Sequence, residues 1–73
     1  ISKIAQDILW DWGEKVSPHA LTYLQAMLSL NNKSDNFFYD SAEAVVLYGL
    51  ANMQGYRTPR AKALKEELKE AIK

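Results

Sequence analysis

Asp7, Asp11 and Glu14 come nearest to a chemical constellation in the N-terminal half: at about 100° per residue they fall within roughly 60° of one another on a helix. Three carboxylates so placed can bind a divalent cation or a basic partner. Hard cations recruit further oxygens from loops or substrate phosphates, and no such donor accompanies these three. Acid–base catalysis by paired carboxylates needs a desolvated cleft that splits their pKa values, and the spacing promises none. The expected role is a solvated helix face opposite the core.

The C-terminal half carries the opposite sign. Lys62, Lys65, Lys69 and Lys73 stripe one side of a helical segment, with Glu66, Glu67 and Glu70 on the other flank. Arg57, Arg60, Lys62, Lys65 and Lys69 form a surface able to follow phosphates, the candidate nucleic-acid site. No recognition-helix turn or aromatic ribonucleoprotein motif accompanies it. Lys and Glu three or four apart also support an exposed helix directly. Nucleic-acid binding is therefore the alternative reading rather than the first.

Other chemistry is sparse. The 73 residues include no cysteine, which excludes disulfides and thiolate chemistry, and a single histidine, His19. His19 has no nucleophile or carboxylate signalled beside it, so a surface or boundary position is expected. No metal, no cofactor and no catalytic residue is expected, and the chain reads as a non-enzyme. Nine basic and nine acidic residues cancel, so no global field draws it to nucleic acid or a membrane. Residues 57–73 nevertheless hold six basic and three acidic residues, and residues 1–56 the reverse, three and six. No run approaches the roughly 20 apolar residues of a membrane span, and no signal peptide opens the chain. A cytoplasmic location is expected. The start at Ile1 rather than Met points to a few native residues before it.

The aromatic residues are the sharper signal. Trp10 projects away from the apolar face of Ile4, Ile8 and Trp12, among Lys3, Gln6, Asp7 and Glu14. Phe37, Phe38 and Tyr39 crowd a loop, and three consecutive aromatics cannot all enter one core from there. Either Trp10 packs on this cluster or one of them marks a binding surface. Trp10, Phe37, Phe38 and Tyr39 are the candidate partner-binding residues. Tyr23 and Tyr56 read as half-buried boundary residues.

Four helical segments must position these groups. The first runs from Ser2, as N-cap, to about Lys15, with Gly13 weakening its last turn. Ser17-Pro18 starts the second, which reaches about Leu30. Asn31 to Asn36 is a turn-rich loop. Asp40-Ser41-Ala42-Glu43 has capping-box spacing and opens the third segment, which Gly55 closes. Thr58-Pro59 starts the fourth, continuing to Lys73. The third segment is apolar all round: Val45, Val46, Leu47, Tyr48, Leu50 and Met53 leave no broad polar face. It must be wrapped by the other helices or sealed by a partner, and Gly49 within it lets a neighbour come close. The expected fold is all-α, a compact four-helix domain spanning 1–73 with the third helix (about 41–54) central.

Ala20, Tyr23, Leu24, Ala26 and Met27 (AxxYLxAM), the aromatic pair before Asp40, Val45 to Asn52 (VVLYGLAN) and Arg60 to Leu68 (RAKALKEEL) give the chain a resemblance. Over about two-thirds of its length it resembles small proteins encoded by tailed bacteriophages and prophages. The resemblance implies a phage origin and no site residues, since no activity is attached to that group. The leading expectation is a small non-catalytic phage-type protein that binds a protein partner, from host or phage, or a second copy of itself.

Overall fold

The computed structural model describes all 73 residues. The chain runs α1 (Ser2–Trp12), a single 3₁₀ turn (Gly13–Lys15), α2 (Pro18–Met27), β1 (Asn36–Phe37), β2 (Asp40–Ser41), α3 (Ala42–Ala51) and α4 (Ala61–Ala71). Four helices are present as expected, but a two-stranded antiparallel hairpin joins them, so the all-α expectation is corrected to a helical fold with a small sheet.

Local chemistry explains the helix limits. In α1, Ala5, Ile8 and Trp12 recur at helical spacing and are buried. Ser2 is not its cap. Ile1 takes that position, and the Ser2 amide donates to the Leu30 carbonyl at 2.7 Å, tying the start of α1 to the turn after α2. Gly13 ends the helix at φ 63, a left-handed backbone that favours glycine, so α1 stops short of Lys15. The Ser17 hydroxyl caps α2 by accepting the Ala20 amide at 3.3 Å, with Pro18 at the first helical position. That helix stops at Met27, and Leu30 reaches the core from the following turn.

The loop expected at 31–36 is more organised than its composition implies. Asp35 Oδ2 accepts the amides of Asn31 (2.8 Å) and Asn32 (3.2 Å), and the Asp35 carbonyl accepts Ala42 N–H at 3.0 Å. The chain then pairs Asn36 with Ser41 and Phe37 with Asp40, leaving Phe38-Tyr39 as a two-residue tip. Asp40 lies in β2, and Ser41 rather than Asp40 caps α3, accepting Ala44 N–H at 3.1 Å. Helix α3 ends at Ala51 with Asn52 behind it, well before Gly55. No side chain caps α4: the helix begins at Ala61 with Arg60 at the cap position, and the Thr58 hydroxyl instead donates to Asp11.

Seventeen buried residues make one core. Ile8 and Trp12 of α1, Leu24 and Met27 of α2, Val45 and Val46 of α3, and Leu64 and Leu68 of α4 meet there with Met53 and Tyr56. Gly49 does what its position implied. A Cβ there would run into Met27 Cε and lie 3.2 Å from Tyr23 Cβ, so glycine lets α2 and α3 close together.

The third helix meets more elements than any other but is not wrapped all round. Helix α1 packs on α2 and α4, whereas α3 packs chiefly on α2, with lesser contacts to α4 and the hairpin strands. Ala42, Val45, Val46 and Gly49 are buried, but no element covers the opposite side, where Ala44, Leu47, Tyr48 and Ala51 repeat at i, i+3, i+4 and i+7. Leu47 and Tyr48 are about half exposed. The wrapping fails because α1 spends its apolar face on α2 and α4.

Candidate functional site

Two constellations stand out, one closed and one open. The closed one joins α1 to the connection between α3 and α4. Asp11 Oδ2 accepts the Tyr56 hydroxyl at 2.6 Å and also the Thr58 hydroxyl. The Tyr56 ring is wholly buried and stacks on Trp12, with centroids 4.9 Å apart and planes 25° from parallel. Lys65 Nζ donates to the Tyr56 carbonyl at 2.9 Å and sits 5.6 Å from the ring centroid. The Thr58 bond, then the Tyr56 bond and the nearby Arg60, hold the Asp11 carboxyl below its ordinary range. Burial, followed by the bond to Asp11, pushes the Tyr56 phenol up to about 12. A charged carboxylate and a neutral phenol are thus both reinforced, the reverse of what a general base or phenolate nucleophile needs. The arrangement is a clasp.

Of the three helix-one acids, Asp11 belongs to this clasp, Asp7 is half-buried and Glu14 lies exposed on the 3₁₀ turn. No group of three or more His, Asp or Glu side chains is close enough to hold a metal ion. Tyr56, expected at the boundary, is instead the largest fully buried side chain. Its spacing from Met53 was the available signal: both follow α3 and both turn inward.

The open constellation begins at the hairpin. Phe38 is 84% and Tyr39 fully exposed. Phe38 holds φ 57, the only non-glycine residue with positive φ, at the kind of tight tip where glycine or asparagine is the usual choice. Phe37 is half-buried, packs against the core and meets Phe38 edge-on at 4.7 Å. Below it a groove of about 400 Å³ is lined by Thr22, Tyr23, Gln25, Ala26, Phe37, Asp40 and Val45. Tyr23, which lines the groove, lies 5.9 Å ring to ring from Tyr48 on the uncovered face of α3. Leu47 and Tyr48 are residues the charge and aromatic patterns passed over.

The expected contact between Trp10 and the aromatic loop is not formed. Trp10 is 87% exposed on α1, and none of the three close aromatic pairs includes it. Of the basic candidates, Arg57, Lys62, Lys65 and Lys69 line one cleft, while Arg60 stands outside it, at the start of α4 near Asp11. His19 is exposed on α2. No helix is long and apolar enough to cross a membrane. No protein-family model, curated protein or solved structure matches the chain.

Proposed function

We propose that this is a small non-catalytic protein of phage type that acts in the cytoplasm by binding a protein partner through the hairpin tip and the outer face of α3. The observation that carries this reading is the exposure of Phe38 and Tyr39 on a tip whose backbone is left-handed at an aromatic residue. Folding alone favours glycine there, and an exposed ring adds nothing to the core, so association is what the aromatic serves. Leu47 and Tyr48 extend the apolar surface along α3. The resemblance to small tailed-phage proteins supports the origin, and the absence of cysteine fits a reducing compartment.

Charge narrows the partner. Between Lys33 and Arg57 the chain carries Asp35, Asp40 and Glu43 and no basic residue. Asp40 lines the groove and Glu43 borders the α3 face, and neither is in an ion pair. The matching surface is apolar with a basic rim. A second copy paired symmetrically would bring acids toward acids.

The test compares captures from a bacterial lysate by the wild-type chain and by a Phe38→Gly/Tyr39→Ser variant. The reading expects a protein retained only by the wild type and released by salt. Equal capture by both would refute it, and a mass that rises with concentration in light scattering would reassign the surface to a second copy.

A further inference from the structure

We propose that the cleft between the Tyr56–Thr58 turn and α4 is a binding site for a phosphoryl oxyanion. This site lies outside the aromatic surface and does not depend on it. The cleft has a volume of about 330 Å³, and its lining includes Arg57, Lys62, Lys65 and Lys69 against one carboxylate, Glu66. In a chain of zero net charge, four cations sharing one cleft are a local concentration that the overall balance conceals.

Little inside the protein neutralises them. The molecule's two ion pairs are Lys69–Glu66, at 3.3 Å, and Lys73–Glu70, at 2.8 Å. Arg57, Lys62 and Lys65 therefore face the cleft without a carboxylate partner. The lysines at 62, 65 and 69 share a helix face within about 60° at the α-helical repeat. Arg57 comes from the turn opposite and is held in place, its Nε donating to the Gln54 carbonyl at 3.2 Å. That bond leaves its terminal nitrogens free to form the planar fork that suits phosphate. Lys65 is fixed too, by its bond to the Tyr56 carbonyl, and keeps further N–H donors. Burial lowers its pKa first, and the neighbouring charges of Arg57 and Lys69 lower it further, a repulsion that a bound anion would offset.

The cleft also limits what is recognised. Tyr56 is its one aromatic, and that ring is wholly buried against Trp12, so no ring is available to stack on a base. Recognition stops at the phosphoryl group, which a sequence-independent nucleic-acid backbone and a free phosphate share.

The test follows backbone amide shifts of the whole chain while inorganic phosphate is added at low ionic strength. In parallel, a labelled single-stranded oligonucleotide is titrated by fluorescence anisotropy. Wild type is compared with Arg57→Gln, Lys62→Gln and, as a control on exposed α1, Lys3→Gln. Lys65 is left intact because it holds the Tyr56 carbonyl. The expected result is a set of shifts clustered between residues 56 and 69 and an affinity about tenfold weaker in each cleft variant. Lys3→Gln should bind as wild type does. An oligonucleotide that binds more tightly than phosphate, with a log–log salt slope of about −3 for four contacts, identifies the source as a nucleic-acid backbone. An oligonucleotide no tighter than phosphate identifies a small phosphoryl ligand. Absent or scattered shifts would overturn the proposal, as would cleft variants that keep their overall amide spectrum and bind unchanged.

Discussion

Trp12 with Tyr56 and Phe38 with Tyr39 are two aromatic pairs of nearly the same make-up with opposite placements. The first pair is stacked and buried, with its one hydroxyl given to Asp11. The second is exposed on a hairpin tip held in a backbone conformation that aromatics avoid. Apolar area alone does not separate them, since either pair buried would stabilise the fold by several kcal/mol. The difference is the supporting structure. Tyr56 has a carboxylate for its hydroxyl, an ammonium for its carbonyl and a ring to lie on, whereas Tyr39 has none of these. The clasp lies where α1 meets the turn before α4, and protein recognition is proposed for the hairpin and the outer face of α3.

The largest effect expected from breaking this contrast is Tyr56→Ala. It removes the stack, the clasp and a fully buried ring, at a cost of about 3–5 kcal/mol. For a domain of this size that approaches the entire stability, so urea titration should find the variant largely unfolded. Gly49→Ala is expected next. The Met27 methyl can swing aside, but Tyr23 Cβ is fixed to the α2 backbone 3.2 Å from the added methyl. Easing α2 away from α3 costs about 1–3 kcal/mol in a packed interior, more than the gain of about 1 kcal/mol in helix propensity. The melting temperature should fall, and a rise would show that α2 and α3 are less tightly joined than the geometry states.

The clasp also predicts how stability follows pH. The Asp11 carboxyl is held below 3.8 in the folded chain. Its contribution is therefore present above that value and lost as pH falls through the lower, folded one. The Tyr56 phenol behaves in the opposite sense. Raised from 10.0 to about 12, it contributes fully below pH 10.0 and loses that contribution as pH climbs toward 12. Denaturant titrations across both ranges should show the two losses. Tyr56→Phe should remove the alkaline loss and weaken the acid one, at a cost near neutrality of about 1 kcal/mol.

The helices were legible in advance because their signals are local. Ser17-Pro18, the Ile8–Trp12 spacing and the Lys and Glu spacing from Lys62 to Lys73 each specify an element without reference to the rest of the chain. Gly49 was legible as a point of close approach for the same reason. The hairpin was not, since its tip has neither glycine nor asparagine to announce the turn. Tyr56 and Thr58 were misread because their partner, Asp11, lies 45 and 47 residues away. The open side of α3 was hidden by composition: a helix apolar all round says that every side needs a cover, not which cover the chain leaves out. Among the site residues, exposure at Trp10, Phe38 and Tyr39 follows from their break with the amphipathic pattern. Arg57 was already grouped with the lysines of α4 by their spacing, whereas the departure of Arg60 from that group depends on a turn that only the fold reveals.

Trp10, Phe38 and Tyr39 are expected to add no net stability to the fold, the edge contact of Phe38 with Phe37 being offset by its left-handed backbone. A thermal melt of the combined variant Trp10→Ala, Phe38→Gly, Tyr39→Ser tests it most directly. The expected melting temperature equals the parent's or exceeds it, because glycine relieves the left-handed strain at position 38, a cost of about 1–2 kcal/mol for a side chain. A fall of more than about 8 °C, which in so small a domain means a loss above 1 kcal/mol, would contradict the claim and return these rings to the core.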